Sequence, residues 1–218
     1  MAGTSLLGLA AFGLLLFLPA GTLRYWQAWV FIAVFTICTL GPSIYLLMKD
    51  PAALQRRMHA GPAAETRTTE KIVVADGFLL LPAVMVFSAL DHRFGWSPVP
   101  TAVSLIGVLL VAIGLGTTQV VVIQNRFAAA TITVEQGQEL VSTGLYSVVR
   151  HPMYVGVLIM MVGIPLALGS YWGLLVLIPG AVLLAVRILD EEQALQQELA
   201  GYREYMQKVR YRLVPGLW

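Results

Sequence analysis

Two stretches of the chain concentrate residue types that can do chemistry. The first, residues 124–156, reads QNRFAAATITVEQGQELVSTGLYSVVRHPMYVG. There, Arg150-His151-Pro152 opens an apolar run. Proline is well tolerated in a first helical turn, because its missing N–H would have been unpaired there. The other free N–H groups at such a helix start suit a ligand carboxylate or polar edge. Gly137 and Gly144 are turn signals, Gly144 and Gly156 permit close backbone approach, and residues 131–134 are too short to assign. The second stretch, residues 187–218, reads RILDEEQALQQELAGYREYMQKVRYRLVPGLW. Arg187 and Glu191 are four apart and share a helix face. With Asp190 and Glu192 they stand at the mouth of a hydrophobic helix, where charge is expensive and usually faces a cavity.

Each feature has a plainer reading beside it. An Arg-His pair at a helix start often only contacts headgroups, so His151 is open between that and a functional role. Leu195, Leu199, Tyr202 and Met206 continue an apolar stripe at spacings of three and four. Such a stripe is what an amphipathic helix lying on a membrane shows. Gly114-Leu115-Gly116 is a small-residue step that commonly lets membrane helices pack closely. Cys38, the single cysteine, lies in an apolar segment and reads as a small filler, with no disulfide possible within the chain. No Cys/His cluster has metal-ligand spacing, so no metal site is expected. His59 and His92 read as loop residues at the surface.

The elements that must position these residues are hydrophobic helices. The 218 residues are 58% hydrophobic and only 12% charged, with a mean hydropathy of +0.77. A soluble domain carries about 25% charged residues, so lipid must supply the remaining solvent. Six segments approach the roughly 20 residues a spanning helix needs: 6–23, 26–48, 72–90, 99–123, 154–168 and 172–188. The fold class expected is an all-α polytopic membrane bundle with a C-terminal amphipathic helix. Residues 165–173 read as a tight turn between the last two segments. The first segment has no Lys or Arg before its apolar run and no clear cleavage site, so it does not read as a secretory signal. With six spans, twelve Lys and Arg residues fall on one side with the N-terminus, and only Arg24 and Arg93 on the other. Excess Lys and Arg marks the cytoplasmic face, which predicts both termini inside. The net charge of +2 is too small to point to nucleic acid.

Taken together, the two stretches resemble the isoprenylcysteine carboxyl methyltransferase family and the wider membrane methyltransferases that include phospholipid N-methyltransferases. The matching pattern is Gly144-x-Tyr146, then Arg150-His151-Pro152-x-Tyr154-x-Gly156, then Arg187-x-x-x-Glu191-Glu192-x-x-Leu195, Gly201-Tyr202 and Tyr205. It covers residues 124–215, and the N-terminal spans match only as generic hydrophobic helices. The resemblance implies one integral membrane domain, with residues 1–123 as N-terminal spans and 124–218 as a cofactor-binding and catalytic region. It implies S-adenosylmethionine held at the cytoplasmic face by Gln138, Glu139, Leu140, Val141, Tyr146, His151, Pro152, Met153, Tyr154 and Glu191. It implies that Arg187 faces the methyl acceptor, a lipophilic molecule or membrane lipid. A carboxylate such as Glu191 suits the positive groups of the cofactor. A carboxylate acceptor needs no general base, and Arg187 can orient it with a forked pair of hydrogen bonds.

Two rival readings accompany this one. The ending Val209-Arg-Tyr-Arg-Leu-Val-Pro215-Gly-Leu-Trp also resembles membrane sterol reductases, which use NADPH. Those enzymes typically carry asparagine before the tyrosine and aspartate after the glycine, where this chain has Met153 and Val157. The third reading is a non-catalytic lipid-binding membrane protein on the same fold.

Overall fold

The computed structural model describes residues 2–49, 51, 68–125, 127 and 138–218. Among them the chain is helical, with no strand. In order come α1 (Ala2–Ala20), α2 (Trp26–Lys49), α3 (Thr68–Phe94), α4 (Thr101–Gln124), a 3-10 turn at Gly144–Ser147, α5 (Pro152–Ala167), a second 3-10 turn at Trp172–Leu174, α6 (Leu177–Glu198) and α7 (Tyr202–Lys208). The six apolar segments therefore each coincide with a helix. Among the described residues, three helices are long and apolar enough to cross a membrane: Trp26–Lys49, Thr101–Gln124 and the run Trp172–Glu198. Leu7–Ala20 and Pro152–Ala167 are shorter apolar helices. At 1.5 Å per residue, the 16 residues of α5 reach about 24 Å, against a hydrocarbon core of about 30 Å.

The ends of the helices follow local chemistry. Gly21 takes φ +67° past α1 and returns its N–H to Phe17 O at 3.0 Å, which caps the helix after Pro19. The turn expected at residues 165–173 begins later, because α5 runs through Pro165 to Ala167 and reverses only at Gly169, φ +73°. The last membrane helix is likewise displaced. Residues 172–174 form a separate 3-10 turn, and α6 extends ten residues past Ile188 to Glu198. That extension carries the acidic cluster away from the apolar segment on a continuous rigid helix.

The main core joins Leu16 of α1, Phe31 of α2, Met85 of α3, Val111 of α4 and Ile164 of α5, and Cys38 packs against it. Within it, α4 and α5 approach closely enough that only glycine fits. A Cβ on Gly114 would lie 2.5 Å from Gly156 O and 2.5 Å from Met160 N, and one on Gly163 would lie 2.8 Å from Gly107 O. The Gly114 step is thus a packing device, as close helix approach in membranes requires. Gly116 has open space around its Cβ position and serves no such contact. Gly156 accordingly abuts α4. We expect Gly114→Val to cost roughly 1–3 kcal/mol by overpacking and to lower the unfolding temperature in detergent. Gly116→Val should leave it nearly unchanged, and equal effects at the two positions would contradict this packing.

At the end opposite the start of α5, Asp91 gathers the connecting turns. It is 1% exposed and accepts hydrogen bonds from Ser97 N (2.8 Å), Ser97 Oγ (2.6 Å) and Ser170 Oγ (2.5 Å). Tyr25 donates to Leu168 O and stacks on His92 at 3.9 Å. His92 is therefore in the last turn of α3 with an aromatic partner, in place of the loop position expected. His59, Gly137 and residues 131–134 lie outside the described residues.

Candidate functional site

At the other end, three pieces of chain meet around a carboxylate. Glu192, on α6, has a side chain only 3% exposed. Arg150 Nε donates to its Oε1 at 2.6 Å, and His151 Nε2 stands 3.2 Å from the same oxygen. Arg212 Nε donates to Oε2 at 3.0 Å, with a second guanidinium nitrogen at 2.9 Å. Arg150 uses its remaining reach on the tail, donating from Nη1 to Val209 O and Arg210 O, both at 2.8 Å. Backbone bonds add to this clasp: Arg150 N to Tyr211 O and His151 N to Arg212 O. A buried carboxylate persists only when paired and fully hydrogen-bonded. Here that requirement fixes the start of α5, the end of α6 and the tail as one unit.

The segment before α5 is anchored to α4. Gln124 Oε1 accepts from Leu145 N at 3.1 Å, and Asn125 Nδ2 donates to Tyr146 Oη at 3.1 Å. Tyr205 of α7 donates to Tyr146 O at 2.7 Å. Gly144 takes φ +61°, and a Cβ there would meet the Gln124 amide at 2.6–2.8 Å. Its expected role as a turn residue thus has a steric cause as well as a conformational one.

These elements line one open cleft. One wall is Gln138, Glu139, Leu140, Val141 and Tyr146; the second is Arg150 to Tyr154; the third is Glu191, Leu195, Leu199, Tyr202 and Tyr205. Asn125 and Phe127 complete it. Burial pushes the hydroxyls of Tyr146 and Tyr205 above the usual phenol range, so both remain protonated donors. Met153 packs on Leu46 and Val122, which backs the cleft directly onto α2 and α4.

The adjacent glutamates divide their work. The Glu191 side chain is 24% exposed and lines the cleft, whereas Glu192 at 3% is spent on the clasp. Tyr154 Oη donates to Glu191 Oε2 at 2.6 Å and accepts from Arg187 Nε at 2.8 Å. His151 Nδ1 lies 3.9 Å from that same Glu191 oxygen, and its ring stacks on Tyr154. Glu191, Tyr154 and Arg187 thus form a directed chain from the cleft into the helices.

All ten residues expected to hold a cofactor line this one cleft. Arg187 is set apart from the lining, 7% exposed and joined to it through Tyr154. The apolar stripe of α6 and α7 departs from its expected membrane-surface role. The helix ends at Glu198, Gly201 turns the chain with φ +80°, and Leu199, Tyr202 and Tyr205 pack together with Leu140, Leu195 and Met206. Asn125, Phe127, Arg150, Leu195, Leu199, Tyr202 and Tyr205 also line the cleft but were not among the expected contacts. Arg150, Leu195, Tyr202 and Tyr205 stand in the pattern quoted above and Leu199 in the apolar stripe, whereas Asn125 and Phe127 had only their place in the first stretch as a signal.

Residues 103–201 match the phospholipid methyltransferase family. That span runs from α4 to Gly201 and so includes both the first cleft wall and the Arg187–Glu192 segment. The match, with the three long apolar helices among the described residues, supports an integral membrane protein. Over 95 residues the chain is also 36% identical to Delta(14)-sterol reductase TM7SF2 of Mus musculus. The aligned stretch covers 40% of this chain and 22% of that protein.

Proposed function

We propose that the chain is an S-adenosylmethionine-dependent methyltransferase acting on a lipophilic acceptor at the cytoplasmic face of a membrane, with a carboxylate as the acceptor group. The observation that carries this reading is the Glu191–Tyr154–Arg187 chain, which sets a partly exposed carboxylate in the cleft and a buried cation just beyond it. The lining fits the cofactor by chemistry. Glu191 suits a positive group, and Tyr146, Tyr205, Phe127 and Leu140 offer aromatic and apolar faces to a ring. When bound, S-adenosylmethionine supplies a methyl group on a positively charged sulfur. The protein's residues then have two tasks, alignment and water exclusion, which contribute most to a displacement of this kind. Arg187 favours an anionic acceptor over an ammonium group. Apolar α2 and α4, behind Met153, give a lipophilic tail its route.

The test is methyl transfer from labelled donor to prenylcysteine analogues, small lipophilic acids and phospholipids in detergent. Base-labile label on an acid supports the carboxylate reading. Label confined to a phospholipid amine overturns it in favour of N-methylation. Glu191→Gln removes the cleft's negative charge but keeps its shape, and should weaken donor binding about tenfold or more, as losing a charge-assisted contact does. Unchanged donor affinity in that variant would contradict the assignment of Glu191.

A reductase reading rests on the partial likeness to the sterol reductase. A cleft that took NADPH in preference to S-adenosylmethionine would establish it.

A further inference from the structure

Tyr202 stands apart from the other tyrosines of the cleft. It is 3% exposed and lines the cleft, yet its hydroxyl has no hydrogen-bond partner among the described residues. Its neighbours are satisfied. Tyr205 donates to Tyr146 O, Tyr146 accepts from Asn125, and Tyr154 is held by Glu191 and Arg187. A buried hydroxyl without a partner costs stability, and natural structures keep few of them. The ring itself is well used, packed with Leu199, Tyr205 and Val209, so a phenylalanine would serve the packing alone. The hydroxyl is what packing does not explain.

The surroundings select what could pair with it. Burial, followed by the charges of Glu192 and Glu191, raises the Tyr202 hydroxyl above the usual phenol range, so it is a donor and needs an acceptor. The same two carboxylates disfavour an anionic acceptor beside them. An ammonium group accepts no hydrogen bond, and a sulfonium is a poor acceptor. In a ligand that combines an amino acid, a sulfonium and a nucleoside, the neutral acceptors are the ribose oxygens and the ring nitrogens of the nucleoside.

We infer that Tyr202 is a further ligand-binding residue of this cleft, its hydroxyl donating to a neutral acceptor on the adenosine half of the methyl donor. This rests on the donor assignment made above. The hydroxyl is then held in reserve in the free protein and paired on binding, and the discrimination it adds is for a nucleoside over other occupants of similar size.

The experiment compares wild type, Tyr202→Phe and Tyr205→Phe in detergent by calorimetry and thermal unfolding. The ligands are S-adenosylmethionine, S-adenosylhomocysteine and 5′-methylthioadenosine, which keeps the nucleoside but lacks the amino acid. For Tyr202→Phe we expect an unchanged or slightly higher unfolding temperature without ligand. Affinity for all three ligands should fall about threefold to tenfold, the loss of one neutral hydrogen bond. Tyr205→Phe, which loses a bond made within the protein, should lower the ligand-free unfolding temperature. Wild-type binding with equal affinities in Tyr202→Phe overturns the role of Tyr202 alone. A loss for S-adenosylmethionine without a loss for 5′-methylthioadenosine overturns the adenosine assignment. Wild-type protein that binds none of the three overturns the donor reading and this inference together.

Discussion

Arg187→Ala is expected to lower kcat by about 10²–10³, the scale seen when a single preorganised charged donor is removed from a reacting centre, while the dissociation constant for S-adenosylmethionine should change by less than about threefold. The split follows from position. Arg187 is 7% exposed, lies behind the lining of the cleft, and reaches it through the Tyr154 hydroxyl. On α6 it stands one turn before Glu191, on the same face. On the proposed reading, a donor bound in the cleft would meet Glu191, and the acceptor would lie on the Arg187 side of Tyr154. Arg187→Lys should recover little activity, because an ammonium lacks the planar fork that orients a carboxylate. Parallel measurement of kcat and donor affinity checks this. A rise in the donor dissociation constant that matches the loss in kcat would place Arg187 in the donor site instead.

Glu192→Ala is expected to destabilise this end of the molecule strongly. It leaves Arg150, whose side chain is 4% exposed, without its buried carboxylate, removes the partner of His151 Nε2, and releases Arg212 from α6. Breaking a buried pair by removing one partner costs about 3–5 kcal/mol, a large part of the roughly 5–15 kcal/mol that holds a domain together. The unfolding temperature in detergent should drop sharply, and limited proteolysis should reach the tail after Val209. Glu191→Ala, one residue away, should cost much less, because Glu191 is partly exposed, lies outside the clasp and loses only the Tyr154 bond. Equal destabilisation by the two substitutions would refute the division of labour between them.

That division marks the limit of what the sequence discloses. Composition alone requires hydrophobic helices, because 12% charge cannot clothe a soluble surface, and the six apolar segments locate them. His151-Pro152 at a helix start and the acidic mouth of α6 point to a site, and the helix geometry brings them together as expected. Which glutamate does what is not legible. Consecutive helical residues point in directions about 100° apart, and the choice between cleft and clasp depends on where the tail runs. The tail is held largely through carbonyls of Val209, Arg210, Tyr211 and Arg212, groups that every sequence possesses. The stripe Leu195–Leu199–Tyr202–Met206 was misleading for a related reason. Its spacing describes a face but not what covers it, and Gly201 breaks the helix so that the face closes over the cleft. Asp91 carried no signal, because its partners Ser97 and Ser170 are ordinary loop residues until the chain folds.

The cleft between α5, α6 and α7 is the proposed site for a sulfonium methyl donor. Calorimetric titration of the purified protein in detergent with S-adenosylmethionine, and separately with NADPH, tests it most directly. One S-adenosylmethionine should bind per chain, with binding weakened in Glu191→Gln and no heat from NADPH. Saturable binding of NADPH with none of S-adenosylmethionine would contradict it.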